Sequence, residues 1–455
     1  MNASSPASHT RLPHRSREPN IVFILADDLG FADLGCYGAR EAAFGPVSPR
    51  LDQMAREGLR FMNGYSNSPV CSPTRFALIT GRYQYRLRAA AEEPLTRRSG
   101  SQNPTLMGLP PSHPTLPSLL RDAGYRTGLV GKWHLGYPPH FGPLMSGYDE
   151  FFGPISGAVD YFSYTSFEGV RDLHEADQPA QAKGYLTDVL TDRAVDFIKA
   201  HGGRQPFMLS VHYTAPHWPW ETRDDEAESQ RIGSQIHHVD GGSLPVYQKM
   251  IHHMDEGIGR ILDTLAQQGL EQDTLVVFTS DNGGERFSDN WPFVGKKMDL
   301  LEGGLRVPLI ARWPGHIAAG TTRQPMMTMD WMPTLLDLAG ATPHPEYPLD
   351  GMSMAAILRE PEKTYPRPMF WRMTYRQQCA AIHGAWKYLR LDENEFLFNI
   401  DIDARERANL KDRHPDKFLE MKRMYGDWSA SMPPIPGDAA YTLVYGPATM
   451  AQASG

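Results

Sequence analysis

Short apolar runs alternate with amphipathic segments along most of the chain. The apolar runs are bounded by polar or glycine residues and predict buried strands in NIVFILADD, YRTGLVGKWHLG, PFMLSVHYTAP and DTLVVFTSDNGG. Apolar residues recur at helical spacing in LDQMAREGLRF, TDRAVDFIKAH and YQKMIHHMDEGIGRILDTLAQQGL. Strands that alternate with helices predict an α/β fold, in which a large, mostly parallel central sheet is flanked by helices.

The pattern changes after residue 365. QCAAIHGAWKYLRL and EFLFNIDID predict strands of an antiparallel sheet, and PDKFLEMKRMYGDW predicts a closing helix. We therefore expect a main domain over residues 19–365 and a small C-terminal subdomain, an antiparallel sheet with a helix, over residues 366–455. The polar residues 1–18 predict a disordered N-terminal tail.

Two polar or Pro/Gly-rich stretches interrupt the alternation, at residues 89–117 and 222–245. Loops of this length in a compact domain are usually functional or mobile. Because function concentrates on loops carried by a rigid scaffold, we expect both stretches to shape a specificity pocket.

Composition argues against two classes of protein. The 455 residues are 41% hydrophobic and 22% charged, which is ordinary for a globular protein. A net charge of -8 without a basic run argues against a general nucleic-acid binder. No stretch approaches about 18 continuous apolar residues, so we expect no membrane span.

The cysteines and the N-terminus bear on location. Cys36, Cys71 and Cys379 are too few and too scattered for a disulfide framework, which fits a reducing compartment. The first residues lack the apolar region of a secretory signal. Together these observations predict a cytoplasmic protein.

Acidic residues follow two of the predicted strands. Asp27 and Asp28 end the first strand, and Asp281 with Asn282 ends the LVVFTS strand. Ligands of open α/β sheets bind beyond the carboxyl ends of the strands, where these groups can meet. Carboxylates packed together need a cation, and a set of oxygen ligands suits Ca²⁺, or less well Mg²⁺. Taken singly, a helix N-cap explains one Asp as well, and a turn explains DNGG.

Cys71 stands at the start of a predicted helix in SPVCSPTRFALITGRY. Ser72 suits the N-cap of this helix and Pro73 suits its first position. The unpaired N–H groups there favour an anion, so we expect the thiol to have a lowered pKa and to be reactive. Arg75, one turn further on, is placed to contact the same anion. The alternative is a half-buried structural cysteine.

The segment CSPTRFALITGR resembles the signature of type I sulfatases, in the alkaline phosphatase superfamily. In that family the cysteine of Cys-x-Pro-x-Arg is oxidised to Cα-formylglycine. The resemblance follows the family's order through PNIVFILADDLGFADLGCYG, VGKWHLG, YTAPHWP, HMDEGIGRILD, FTSDNGG, EGGLRVPLIARWPG and GAWKYL. The chain is therefore identified as a member of this family, and the resemblance implies its fold and the hydrolysis of sulfate esters.

The resemblance also implies a metal site and a nucleophile. Asp27, Asp28, Asp281 and Asn282 match the family's ligands of a divalent cation, usually Ca²⁺. Cys71, as formylglycine hydrate, is expected to be both a ligand and the nucleophile: one hydroxyl attacks sulfur, and the other then loses its proton and expels sulfate. Its formation implies a formylglycine-generating maturation enzyme as a partner.

Four further side chains match positions that surround the sulfuryl group in the family. The resemblance implies that Arg75 stabilises the hydrate. Lys132 and His134 lie two apart in a predicted strand, so both face the same way; they match the lysine that contacts sulfate and the histidine beside formylglycine. His217 matches the histidine that helps protonate the leaving oxygen or binds sulfate. A surface lysine and packed histidines are the alternatives.

Two lysines compete in GKKMDLLEGG. The family motif places its lysine five residues before the Glu of EGG, so Glu302 selects Lys297, with Lys296 as the one-residue alternative. Lys297 is then expected to bind sulfate and the bridging oxygen and to assist departure of the alcohol. The EGG glycines are expected to allow close approach of backbone segments.

Two rival functions share parts of this pattern. A phosphonate monoester hydrolase or phosphodiesterase can use the same fold and formylglycine, because fold does not fix function. A non-catalytic relative would bind sulfate esters without turnover. A two-zinc phosphatase fits poorly, because it needs a Ser/Thr nucleophile and histidine-rich ligands. Thr214 in YTAPHWP and the segment FLFNIDID depart from the commoner family residues but do not touch the predicted chemistry.

The predicted substrate is a small-molecule sulfate ester, either aryl or carbohydrate. Tyr213, Trp218 and Trp220 form an aromatic wall for its leaving group on one interpretation, and belong to the core on the other.

Overall fold

The apolar runs form strands, and the amphipathic segments form helices. The computed structural model describes residues 18–40, 42–87, 95 and 104–435. Its strands are β1 Asn20–Ala26, β2 Leu59–Phe61, β3 Gly64–Tyr65, β4 Arg126–Gly131, β5 Glu150–Gly153, β6 His174–Glu175, β7 Gln178–Pro179, β8 Phe207–His212, β9 Thr274–Ser280, β10 Leu309–Arg312, β11 Gly320–Thr322, β12 Met326–Met327, β13 Met369–Met373, β14 Gln378–His383, β15 Trp386–Leu391 and β16 Asn394–Asn399. Its α-helices are α1 Pro49–Glu57, α2 Cys71–Thr80, α3 Leu116–Asp122, α4 Leu186–His201, α5 Glu226–Ile232, α6 Leu244–Gln267, α7 Glu302–Leu305, α8 Trp331–Leu338, α9 Ala355–Arg359 and α10 Pro415–Ser431.

Ten of the described strands form one sheet, in the order β11-β2-β10-β9-β1-β8-β4-β5-β6-β7. Its centre is parallel: β9, β1, β8, β4 and β5 run in the same direction. Antiparallel pairs occur where β10 joins β9 and β2, and where β6 joins β5 and β7. The predicted large, mostly parallel sheet is confirmed.

Alternate residues of β1 face two apolar layers, which explains its unbroken apolar sequence. Val22 and Ile24 belong to one core, which α1, α4 and α6 also line. Ile21 and Phe23 belong to a second core, which α3, α8 and α9 line. Helices therefore cover both faces of the sheet, as predicted.

A separate antiparallel sheet, β13-β14-β15-β16, forms the C-terminal subdomain. Helix α10 packs on this sheet and buries Met421 and Trp428. The predicted small antiparallel subdomain with a helix is confirmed, while the boundary at residues 365 and 366 stays a prediction. Residues 1–17, the bulk of the predicted tail, lie outside the described residues.

A buried ion cluster joins the subdomain to the main domain. Lys387 on β15 places its ammonium 2.9 Å from a carboxylate oxygen of Glu302 and 2.8 Å from one of Glu406. Glu302 opens the EGG segment, whose glycines allow close packing as expected: a Cβ on Gly303 would lie 2.2 Å from the Gly295 carbonyl oxygen. The C-terminal sheet thus contacts a segment that starts five residues after Lys297.

The two interrupting stretches have different outcomes. Residues 222–245 are not one long loop, because they contain α5 and the start of α6. The Ser243 hydroxyl caps α6 by accepting from the Val246 amide at 3.4 Å. Part of the stretch 89–117 lies outside the described residues. Within the part of the chain that is described, no helix is both long and apolar enough to cross a membrane.

The parallel order brings four strand ends to one edge of the sheet. Asp281 follows β9, Asp27 follows β1 and Lys132 follows β4, while β8 leads into the segment that carries His217. These strands are neighbours, so residues far apart in the sequence lie side by side at this edge.

Candidate active site

The four predicted metal ligands converge as expected. Asp27, Asp28, Asp281 and Asn282 are each at most 2% exposed. The Asp28 amide donates to Asp281 Oδ1 at 3.3 Å, and Asn282 Nδ2 donates to Asp28 Oδ1 at 2.7 Å. The acidic residues are therefore neither simple helix caps nor isolated turn residues.

Cys71 lies against this acidic cluster. Its Sγ donates to Asp27 Oδ1 at 3.2 Å and lies 3.8 Å from Asp28 Oδ1. Helix α2 begins at Cys71 itself, with Val70 as its N-cap, so the predicted start, with Ser72 as the cap, was two residues late. The residue is 2% exposed and belongs to the site, not to a half-exposed helix start.

The expected lowering of the Cys71 pKa is wrong. Burial raises the pKa of this thiol well above its ordinary value, and the Asp27 and Asp281 carboxylates raise it further. Lys132 and Lys297 act in the opposite direction but are outweighed. Desolvation and nearby negative charge therefore dominate over the helix terminus, and the unmodified side chain is a neutral thiol and a poor nucleophile.

Arg75 is buried beneath the acidic cluster. Its Nε and Nη2 both donate to Asp281 Oδ2, at 3.0 and 2.8 Å. Its Nη1 donates to the Lys132 carbonyl at 3.2 Å and lies 3.4 Å from His212 Nδ1. Arg75 thus orients Asp281 and fixes the backbone that carries Lys132.

Lys132 and His134 are not on a strand, which corrects the argument from strand periodicity. Both follow the end of β4, and His134 has a positive φ of 57°. Lys132 still reaches the cluster, with Nζ 2.5 Å from Asp27 Oδ2. His134 Nε2 lies 2.7 Å from the Leu95 carbonyl, and its buried Nδ1 has no hydrogen-bond partner among the described residues.

His217 and Lys297 form a pair at the other side of the cluster. His217 Nε2 lies 3.1 Å from Lys297 Nζ, which in turn lies 2.7 Å from Asp28 Oδ2. His217 Nδ1 lies 2.8 Å from the Trp218 carbonyl and is therefore its donor, which leaves Nε2 as the acceptor. Burial and the Lys297 charge hold the pKa of His217 well below its ordinary value. Lys297 is buried at the cluster, whereas Lys296 is half-buried.

Sequence reasoning missed two residues of this site. His212 ends β8 and contacts Arg75 as described above. Glu285 follows the DNGG turn, and its Oε2 lies 3.9 Å from Lys297 Nζ. Burial raises the pKa of Glu285 to about 7. The one available signal was position: each residue stands at or just beyond the carboxyl end of a buried strand.

The aromatic wall is mostly core. Tyr213 is fully buried and Trp220 is 5% exposed, so both pack inside the main domain. Trp218 is half-buried beside the site, with its ring 4.2 Å from that of His217 and 4.6 Å from that of His237. The wall thus reduces to Trp218, which the exposed His237 from the stretch 222–245 extends.

The donor set fits a divalent cation. Ligand atoms of Asp27, Asp28, Cys71 and His217 all lie within 4.8 Å of one another. Asn282 Oδ1 is a buried amide oxygen without a partner among the described residues, as expected of an atom that is kept for a cation. Burial and then the Asp27 charge raise the pKa of Asp281 to about 6, and a bound cation would favour the charged form of this carboxylate.

A mostly parallel sheet with a buried cysteine, carboxylates and lysines at its strand ends is the arrangement that the resemblance to type I sulfatases implies. Two family models match the chain: Sulfatase over residues 19–341, and N-sulphoglucosamine sulphohydrolase, C-terminal, over residues 290–431. The chain belongs to the sulfatase family, and its reaction is the hydrolysis of a sulfate ester.

Individual relatives agree with this assignment. Human N-acetylgalactosamine-6-sulfatase is 36% identical over 375 residues, covering 78% of this chain and 68% of the relative. Human arylsulfatase A is 31% identical over 391 residues, covering 81% and 73%. The crystal structure of Ps i-CgsB in complex with k-i-k-neocarrahexaose is 30% identical, with a TM-score of 0.80 and coverage of 92% and 94%. The family is known for the use of a metal ion and of formylglycine.

Substitution of Asn282 tests the metal site. Asn282→Ala removes the unpartnered amide oxygen and should weaken the binding of a divalent cation by more than roughly 100-fold, since loss of an outer-shell partner alone costs ~10–100-fold. Isothermal titration with Ca²⁺ and Mg²⁺ measures this directly. Asn20→Ala is the matched control, because buried Asn20 starts β1 and bonds Thr274 and Phe207 at the opposite edge of the sheet. Equal cation affinity in the two variants would contradict the site.

Proposed function

We propose that the chain hydrolyses a sulfate monoester with residue 71 converted to Cα-formylglycine and with Ca²⁺ held by Asp27, Asp28, Asp281, Asn282 and residue 71. One observation carries the proposal: the buried Cys71 side chain lies in hydrogen-bond contact with Asp27, at the meeting point of the acidic residues and the lysines. The unmodified Cys71 thiol is a poor nucleophile because its pKa is raised, but residue 71 occupies the position that a nucleophile needs.

Ca²⁺ is favoured over Mg²⁺ by the chemistry of the pocket. Carboxylate and amide oxygens supply most of the donors, and these side chains are fully buried. Mg²⁺ usually keeps several of its waters, whereas Ca²⁺ accepts a larger set of protein oxygens. When bound, the cation would offset the carboxylate charges and polarise the sulfuryl group.

Residue 71 requires a separate maturation enzyme, because conversion of a thiol to an aldehyde needs an oxidant. The hydrated aldehyde supplies two hydroxyls, one to attack sulfur and one to expel sulfate. Asp27 Oδ1 accepts a hydrogen bond from the side chain at this position and is placed to accept the proton of the attacking group. Lys132 pairs with the other oxygen of Asp27 and thereby fixes the orientation of this carboxylate.

The departing alcohol oxygen needs a positive partner. The Lys297 ammonium lies between Asp28 and His217 and is the group that we assign to the bridging oxygen. The Lys297 ammonium can give a proton to the leaving oxygen. His217 Nε2 accepts a hydrogen bond from this ammonium and so helps to orient it. The remaining positive or hydrogen-bonding groups around the sulfuryl group are Lys132, Arg75 and His134.

Cys71 variants and rival esters test this function. The protein produced together with a formylglycine-generating enzyme should cleave 4-nitrophenyl sulfate faster than it cleaves 4-nitrophenyl phosphate or 4-nitrophenyl phenylphosphonate. Cys71→Ala should lower turnover by at least roughly 10³-fold, as loss of a nucleophile does elsewhere. Cys71→Ser lacks the second hydroxyl and should at most retain one sulfate per enzyme, visible by intact mass.

Two outcomes would contradict this function. Faster cleavage of the phosphonate would favour the phosphonate hydrolase. Binding of a sulfated ligand without turnover, in protein with confirmed formylglycine, would favour the non-catalytic relative.

The leaving group is proposed to lie on the Trp218–His237 pair. The two rings are 4.6 Å apart, and Trp218 also contacts the ring of His217, so they extend outward from the leaving-group end of the site. His237 is exposed, and partial desolvation and then the Lys297 charge lower its pKa. An aryl ring or the face of a sugar fits such a surface.

Removal of the His237 ring should therefore depend on the leaving group. His237→Ala should lower kcat/KM for 4-nitrophenyl sulfate or a sulfated sugar about 3- to 10-fold, which is the size of one ring contact. The kcat/KM for ethyl sulfate should not change, because its ethyl group is too small to reach the ring of His237. His316→Ala is the matched control, since His316 likewise packs its ring on a tryptophan, Trp313, with the ring centroids 4.1 Å apart. An equal loss for all three esters would contradict the assignment.

A further inference from the structure

Met298, the residue after Lys297, has a strained backbone. Its φ is +79°, in the left-handed region that favours glycine. Residues held in such conformations are strained and persist only where surrounding contacts fix them. The contacts that fix Met298 therefore also affect the direction of the preceding residue, Lys297.

Both backbone groups of Met298 are held by other parts of the chain. Its amide donates to the Pro69 carbonyl at 3.0 Å, two residues before Cys71. Its carbonyl accepts from Gln378 Nε2 at 2.8 Å, and Gln378 Oε1 accepts from the Leu300 amide at 2.9 Å. A single side chain of the C-terminal subdomain thus binds the backbone on both sides of Asp299.

Gln378 is buried where its side-chain amide can make this contact. It is 2% exposed and is the first residue of β14, where its Nε2 also donates to the Tyr375 carbonyl at 3.1 Å. Apolar packing reinforces the junction: Met298, Val70 and Met373 form one buried cluster. Val70 is the N-cap of the Cys71 helix, so the subdomain contacts both the nucleophile helix and the Lys297 segment.

We propose that Gln378 is a positioning residue of the active site: it holds Met298 in its left-handed conformation and thereby directs Lys297 at the leaving oxygen. On the other side, the Lys297 amide donates to the Gly284 carbonyl at 3.0 Å, beside the metal ligand Asn282. The segment is therefore fixed between the DNGG turn and the C-terminal sheet. This inference rests on the proposed role of Lys297 in departure of the alcohol.

Gln378→Glu is the direct test. The change keeps the size and the acceptor for Leu300, but it places an oxygen in place of the donor to the Met298 carbonyl. A misplaced Lys297 should lower kcat/KM by roughly 10- to 100-fold for phenyl sulfate, the cost of about 1 Å of misalignment. The loss should be smaller for 4-nitrophenyl sulfate, because a better leaving group needs less help from a proton donor. A merely structural role would lower both rates alike.

Gln324→Glu is the matched control. Gln324 is also fully buried and also joins two backbone segments, donating to the carbonyls of Pro325 and Tyr365 and accepting from the Tyr365 amide. The Gln324→Glu variant should lose thermal stability without a change in the ratio of the phenyl sulfate and 4-nitrophenyl sulfate rates. If Gln378→Glu does not fold, Gln378→Asn keeps the amide but is one methylene too short to reach both partners.

A double-mutant cycle with Lys297→Ala separates this inference from the proposed function. If Gln378 acts through Lys297, Gln378→Glu should have no further effect on the rate ratio in the Lys297→Ala background. If Lys297→Ala changes the ratio of the rates for the two esters and Gln378→Glu does not, the role of Gln378 is overturned and that of Lys297 stands. A Lys297→Ala variant with an unchanged ratio would overturn both roles.

Discussion

Repulsion among three buried carboxylates is the constraint around which the site is arranged. Asp27, Asp28 and Asp281 stand at the ends of two adjacent strands and are excluded from solvent. Each is paired with a cation from a different part of the chain: Lys132 at 2.5 Å, Lys297 at 2.7 Å and Arg75 at 2.8 Å, respectively. Removal of one partner from a buried pair typically costs ~3–5 kcal/mol, because the other charge is left without compensation. The pairs thus bind the strand ends, helix α2 and the Lys297 segment to one another.

This charge balance also has a consequence for catalysis. The three carboxylates and the three cationic side chains of the protein balance one another, so a bound divalent cation would leave the site positive and ready to receive an anionic sulfate ester. Fixed charges of both signs in a site closed to water need little rearrangement during reaction, which is the condition under which electrostatic stabilisation is largest.

Much of the fold and the site could be predicted from the sequence, because the relevant signals are local. Unbroken apolar runs gave the parallel strands, and the strand-end position of Asp27 and Asp281 predicted their convergence. Departures arise where tertiary packing decides. The thiol pKa of Cys71 follows from burial and from carboxylates that are remote in sequence, and not from the helix on which it lies. Lys132 and His134 share the site through an irregular segment in which His134 has a left-handed backbone, not through strand periodicity.

Burial of aromatic residues was equally beyond the sequence. Tyr213 and Trp218 are five residues apart, yet one is core and the other lines the site. The bond from Gln378 to Met298 joins residues 80 positions apart, and no motif indicates it. The C-terminal subdomain therefore takes part in building the site, although it supplies none of the predicted metal ligands or the nucleophile.

The mass of the tryptic peptide 61–75, which carries Cys71, shows directly whether residue 71 has become formylglycine. In protein produced with a formylglycine-generating enzyme, the account predicts a peptide that is lighter because sulfur and two hydrogens are exchanged for one oxygen, together with its hydrate. Sulfate release should rise in proportion to the converted fraction. An intact thiol in fully active protein would contradict the account, because the proposed nucleophile would then be absent.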